Sequence, residues 1–355
     1  MARDPCFEKK TNKNLTSTVE SPGGPIIGTI DWETGIYQFL GIPYAQQPVG
    51  GLRWLSPQPL SPWKTPLHAR AFGMPAAQNP SVLMEVRGRN GAPPEQEECL
   101  YLNIFSPPVS KDSELPVMFW IHGGSFYMGS GCQEIYNGRY LAASGRATIV
   151  TFNYRLGAFG FLRLKDICDI PSSGNEGLLD QIAALKWVNR NISAFGGDPQ
   201  NITLFGESAG AMSIALLLNI PECHALFRRA IVQSGHPKAA HPTSRANHLA
   251  ETFAKHLDCI GNGKPPRKCT SRMLLQIQTK ILTDCRMTQS WGQLPFKPVI
   301  DYKLLEDTST TGKTGKTPTI KSLLLGNNLD ADSTLKRIPF MRLVPPSNYP
   351  LNLLV

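Results

Sequence analysis

Residues 202–212 read Ile202-Thr203-Leu204-Phe205-Gly206-Glu207-Ser208-Ala209-Gly210-Ala211-Met212. A strand-like run at 202–205 leads directly into Gly-x-Ser-x-Gly, and an apolar, helix-like run over 212–218 follows. A serine between two glycines on a strand-to-helix turn is the arrangement of a nucleophile elbow. Such a turn strains the backbone at the serine, and side chains at the glycine positions would collide with neighbouring strands. The helix behind it aims its first N–H groups at the same point. The pattern also arises by chance around a serine that is only part of a turn. The strand before it and the helix after it favour Ser208 as a nucleophile.

Outward from this turn, runs at 117–121, 147–152, 230–233 and 322–325 are apolar almost throughout, as strands covered on both faces should be. Between the runs at 147–152 and 202–205, Leu179, Ile182, Ala183, Leu185 and Val188 recur at helical spacing after Ser172-Ser173-Gly174-Asn175. Strand, helix, strand is the signature of an α/β crossover, so the expected fold class is α/β with a mostly parallel central sheet. A further helix is expected over 245–257 on Leu249, Ala250, Phe253 and Leu257. Residues 1–110 are rich in Pro and Gly with short alternating runs at 26–30 and 37–40, which suits a small antiparallel lead-in. The Thr/Gly/Lys stretch 308–319 is expected to be a surface loop.

Composition narrows the function. The chain has 355 residues, enough for one large α/β core, with 41% apolar and 18% charged residues. No apolar run approaches the roughly 18 residues that span a bilayer. Residues 1–24 lack the apolar stretch of a secretory signal, so no signal peptide is expected; the cytoplasm is the favoured compartment and secretion the alternative. The net charge of +9 arises beyond residue 235, where Lys and Arg are scattered rather than gathered into a stripe, and nucleic-acid binding is not expected. Eight cysteines without metal-ligand spacing imply neither a disulfide scaffold nor a metal site, and no cofactor is expected. Oligomeric state is not legible.

A second motif, His122-Gly123-Gly124-Ser125-Phe126, stands at the end of the strand-like run 117–121. An ordinary Gly-Gly turn would look the same. Paired with the serine motif, however, Gly123 and Gly124 are candidate oxyanion-hole donors together with the N–H of Ala209, because a backbone without side chains can approach a tetrahedral oxyanion closely. His122 lies beside those donors, a place for a residue that orients the loop rather than for a base.

With these motifs in view, the chain resembles the type-B carboxylesterase family, which includes the cholinesterases, of the α/β-hydrolase fold. The resemblance rests on Phe39-Leu40-Gly41-Ile42-Pro43-Tyr44-Ala45, Glu97-Glu98-Cys99-Leu100-Tyr101-Leu102-Asn103, Asn153-Tyr154-Arg155-Leu156-Gly157, and Gly174-Asn175-Glu176-Gly177-Leu178-Leu179-Asp180-Gln181. It continues through Phe195-Gly196-Gly197-Asp198-Pro199 into the serine motif, and covers about residues 20–335. It implies Ser208 as the acylated nucleophile, an oxyanion hole at Gly123, Gly124 and Ala209, a buried structural Arg155–Asp180 ion pair, a disulfide between Cys259 and Cys269, and a small-molecule ester as substrate. Residues 1–24 are then an extended or disordered lead-in, 25–338 an incomplete hydrolase domain, and 339–355 a tail unlike the family.

The pattern breaks in three places. Where the family has a cysteine upstream of Cys99, this chain has Ala76-Ala77, which leaves Cys99 as a free thiol. The acid of the triad should fall in Gly326-Asn327-Asn328-Leu329-Asp330-Ala331-Asp332, where Ala331 takes its position and Asp332 is the nearest candidate, with a solvated acidic turn as the alternative. No histidine follows His256, so the base that the resemblance implies downstream is absent and the fold is expected to be truncated at its C-terminal side. His236 is a candidate surrogate base, or else a loop histidine. A serine hydroxyl is protonated at neutral pH and needs a base, so the expectation is a serine ester hydrolase with impaired turnover. A non-catalytic interaction module or an unstable gene fragment are the alternatives.

Overall fold

The computed structural model describes residues 16–81, 86, 94–108, 112–235, 239–261, 265–288, 294–306 and 322–327. The chain opens with an antiparallel hairpin, β1 (Thr16–Ser21) and β2 (Gly24–Ile30). Against it lie β3 (Tyr37–Pro43) and the short β4 (Leu67–His68), followed by β5 (Tyr101–Ser106). Residues 16–24, expected as a lead-in outside the domain, are therefore part of the sheet. Then come β6 (Leu115–Ile121), α1 (Arg139–Ala142), β7 (Thr148–Phe152), α2 (Gly157–Gly160), α3 (Glu176–Asn191), β8 (Gly197–Glu207), α4 (Ala209–Leu217) and β9 (Arg229–Gln233). The remaining described elements are β10 (His241–Pro242), α5 (Thr243–Gly261), α6 (Ser271–Thr288), β11 (Val299–Ile300) and β12 (Ser322–Gly326).

The main sheet runs β1-β2-β3-β5-β7-β6-β8-β9-β12. Its first half is antiparallel; from β7 onward every neighbouring pair is parallel. Strands β7 and β8 lie on either side of β6, so α3 is the crossover that carries the chain over it. The inner parallel strands are buried as apolar runs: Val117, Phe119 and Ile121 on β6 and Ile202 and Leu204 on β8 are closed to solvent, whereas 322–325, expected to be covered on both faces, is exposed along β12. Of the face read from the spacing of α3, Ile182, Leu185 and Val188 are buried, joined by Leu178, while Leu179 and Ala183 are only partly buried at its margin.

Buried polar groups fasten these layers. The Arg155 guanidinium donates twice to Asp180 on α3, at 2.8 and 2.7 Å, and the Arg155 backbone N–H adds a third bond at 3.0 Å. Both side chains are within 3% of full burial, so the pair ties the end of β7 to α3, the structural role implied by the resemblance. Glu176, in the first turn of α3, accepts from Ser172 Oγ and from the Ser173 and Gly174 N–H groups, which fixes how the chain enters the helix. Cys99 is a buried free thiol, and Ala76 and Ala77, also buried, line the same small cavity. The side chain of Cys259, and with it the implied Cys259–Cys269 pairing, lies outside the described residues, as do residues 308–319 and the tail 339–355.

Because β6, β8, β9 and β12 are parallel and in register, their carboxyl ends finish at one edge of the sheet: Ile121 is opposite Gly206, Gly206 opposite Val232, and Gln233 opposite Gly326. That edge is where loops of an α/β sheet gather a site.

Candidate active site

Ser208 sits between β8 and α4 with φ 53° and ψ −121°, a left-handed conformation that costs a non-glycine residue about 1–3 kcal/mol. The surroundings hold it there. Its N–H donates to Gln233 O at 3.0 Å on the neighbouring strand, and its carbonyl accepts from Met212 N at 2.8 Å inside α4. The flanking glycines are required by space. A Cβ on Gly210 would lie 2.0 Å from Ile121 O, and one on Gly206 would lie 2.8 Å from the same oxygen. The elbow thus presses against the end of β6, and the half-buried Ser208 side chain is left reachable at the start of α4.

The second motif arrives from β6 itself. Residues 122–131 leave that strand as a loop that reverses on Gly124 O, which accepts from Tyr127 N and Met128 N. Gly124 has φ +108°, and Ser125 and Phe126 follow at +57° and +63°, two successive left-handed residues with side chains. Gly123 lies against the elbow: a Cβ there would be 3.3 Å from Ser208 Cβ and 2.7 Å from Glu207 O. Among the described residues, no backbone carbonyl takes up the N–H of Gly123, Gly124 or Ala209, and Ser125 N–H is in the same state. Sequence reading stopped at the two glycines and missed Ser125, whose left-handed backbone has no local sequence signal.

His122 is buried with its ring stacked on Tyr154, centroids 4.4 Å apart, and its Nδ1 donates to Gly123 O at 2.8 Å. Burial lowers its pKa to about 4, so the ring is neutral at physiological pH and orients the loop. Tyr154 OH holds the His122 carbonyl at 2.8 Å. Glu207, beside Ser208, is half-buried, and that desolvation pushes its carboxyl pKa up.

Of the expected site residues, Ser208, Gly123, Gly124 and Ala209 converge at the sheet edge. Asp332 and His236 lie outside the described residues. The strand that leads toward Asp332 is in register, since Gly326 O accepts Ser234 N at 2.7 Å. Among the described residues no imidazole reaches Ser208 Oγ. His224 bonds Leu218 O, His241 bonds Leu294 O and Pro295 O, and His256 faces Asp284 between α5 and α6.

This pairing of elbow and glycine loop can be set beside known proteins. The sequence profile of the Carboxylesterase family matches residues 15–338. The chain belongs to the carboxylesterase family. The chain is 43% identical over 286 residues to the para-nitrobenzyl esterase of Bacillus subtilis (strain 168), covering 80% of the chain and 56% of that protein. It is 37% identical over 325 residues to the acetylcholinesterase of Danio rerio, covering 84% and 48%. In three dimensions it resembles a PNB esterase structure with a TM-score of 0.78 at 37% identity, over 94% of this chain and 66% of that one. A Geobacillus stearothermophilus carboxylesterase follows at 0.73 and 35%, over 91% and 64%. The chain thus spans about half the length of the two sequence relatives and under two thirds of these two structures.

Proposed function

We propose that this chain carries the acylating half of a serine carboxylic-ester hydrolase site, with Ser208 as nucleophile. A base takes the hydroxyl proton as Oγ bonds to the ester carbonyl carbon, and the carbonyl π pair moves onto oxygen. That oxyanion is received by N–H groups of Gly123, Gly124 and Ala209, fixed before the substrate arrives. Collapse expels the alcohol, which leaves with a proton, and water then cleaves the acyl–Ser208 ester. The observation that supports this reading best is the strained Ser208 with the Gly123 backbone against it.

The base is the open part of the machinery. A polypeptide of these 355 residues has seven histidines, none after His256, and of those described His122, His224 and His241 are bonded to backbone carbonyls. We propose Asp332 as the acid and His236 as the surrogate base, with turnover reduced accordingly; loss of a triad histidine costs about 10⁶ in kcat while the oxyanion hole keeps a residual rate. The test is hydrolysis of p-nitrophenyl acetate alongside fluorophosphonate labelling, with Ser208→Ala and His236→Ala as variants. Slow labelling that Ser208→Ala abolishes, with weak turnover, is expected. Turnover equal to that of a para-nitrobenzyl esterase would overturn the impairment. No labelling of a cooperatively folded chain would overturn the nucleophile and favour a non-catalytic binding role.

A further inference from the structure

We propose that Gln78 is a positioning residue for the oxyanion loop, holding Gly123 against Ser208 through the backbone of Gly129. The proposal rests on the reading of Ser208 as nucleophile, but the hydrogen bonds that clamp Gly129 do not involve Ser208. Gln78 lies outside every helix and strand and is 1% exposed. Its Oε1 accepts the Gly129 N–H at 2.8 Å, and its Nε2 donates to Gly129 O at 2.9 Å and to Ala76 O at 3.0 Å. One side-chain amide therefore satisfies both backbone groups of one residue, as a strand partner would, at a point where no strand runs.

What Gly129 touches gives the clamp its consequence. Gly129 has φ +108°, and a Cβ there would lie 2.6 Å from Gly123 O and 2.7 Å from His122 Nδ1. Its backbone is thus packed directly on the carbonyl and ring that set the Gly123 peptide, and Gly123 in turn abuts Ser208 and Glu207. A shift of Gly129 is passed to Gly123 without slack. The loop needs such a restraint because Ser125 and Phe126 hold left-handed conformations that an unrestrained chain would abandon.

Gln78 is anchored in its turn. Its N–H donates to Pro94 O at 2.9 Å, and its neighbour Asn79 donates to Leu275 O and Thr279 Oγ1 on α6. Asn79 also accepts from Gln278 Nε2 at 2.8 Å, while Gln278 Oε1 accepts Ala158 N at 2.8 Å. Next to Ala158, Gly157 N reaches Phe126 O at 2.7 Å, so the same polar chain returns to the far side of the loop. Gln78 thus holds the loop directly at Gly129, and Gln278 fixes Ala158, whose neighbour Gly157 bonds the loop at Phe126 O.

The experiment compares the wild-type chain with Gln78→Met, which keeps the volume and removes all three side-chain bonds, and Gln78→Glu, which keeps the acceptor for Gly129 N–H. Two readouts are taken: hydrogen–deuterium exchange of residues 123–131, and the rate and amplitude of fluorophosphonate labelling. For Gln78→Met, exchange in the loop rises at least about tenfold while β6 and β8 are unchanged, and the labelling rate falls about 10- to 100-fold at full amplitude, the scale of a small misplacement at a reacting centre. Gln78→Glu falls between the two. Reduced amplitude at an unchanged rate, which marks a merely less stable fold, would overturn the proposal, as would unchanged loop exchange. A wild-type chain that takes no label while loop exchange still rises in Gln78→Met would sink the Ser208 reading and leave the Gln78 clamp standing.

Discussion

Ser208 has the backbone of a glycine and the side chain of a nucleophile, with φ 53° and ψ −121°. Ser208→Gly relieves that strain, offset in part by the greater freedom glycine loses on folding. It should raise stability by about 1 kcal/mol in urea denaturation while abolishing fluorophosphonate labelling. Unchanged or lower stability would mean that the elbow is not strained. His122 carries a second residue-scale consequence, shared with His241, since burial lowers both pKa values to about 4 from the ordinary 6.5. Between those two values the unfolded chain binds protons that the fold refuses. Their contribution to stability is therefore complete above pH 6.5 and declines as pH falls toward 4, by up to about 3 kcal/mol for each group. Urea midpoints measured from pH 7.5 to 4.5 should fall across this window, and His122→Phe, which keeps the stack on Tyr154, should flatten the fall. An identical slope in that variant would contradict a buried neutral imidazole.

At the scale of elements, the inner parallel strands and the crossover helix were legible because each carries apolar residues at the spacing of its own period, as β6, β7, β8 and α3 do. Among the elements that escaped, β5 and α6 did so for the opposite reason. Strand β5 has Asn103 at its middle, a residue that reads as a turn former. In the fold it is 2% exposed, its Oδ1 accepting Gly41 N and its Nδ2 reaching Thr151 Oγ1 across the sheet. Helix α6 has Leu274, Ile277 and Ile281 at helical spacing, but Gln278 interrupts the stripe, and only its partners Asn79 and Ala158, far away in sequence, explain a buried amide there. The site divides in the same way. Ser208, Gly123, Gly124 and Ala209 sit in local motifs, whereas Gln78 carries no local mark. The Arg155–Asp180 pair joins two elements and gives a prediction at their scale. Asp180→Asn leaves a buried guanidinium with a neutral partner and should cost about 3–5 kcal/mol in chemical denaturation. A loss below about 1 kcal/mol, the value of a surface pair, would show that β7 and α3 do not depend on it.

For the molecule as a whole, the sheet has unequal ends. Among the described residues, β1 is at one end the outer strand of a hairpin, and at the other β12 shows solvent Leu323, Leu324 and Leu325 in a row, with 61% of Leu324 exposed. A flat apolar edge strand invites pairing with other chains. Leu324→Lys should therefore lower light scattering on concentration and leave the melting temperature within about 2 °C, the shift that a surface substitution produces. Scattering that persists would point to a different sticky surface. No helix among the described residues is long and apolar enough to cross a membrane.

The alanines beside Cys99 have one further effect. Without a sulfur partner among the described cysteines and with 1% of its surface open, the Cys99 thiol is sealed in the folded chain, and so is that of Cys223. Burial also raises the pKa of both thiols, which keeps them in the unreactive protonated form. A thiol reagent can modify them only during the moments when the surrounding layers part. The single cysteine beside two alanines thus becomes a clock, its rate of modification counting how often the native core opens.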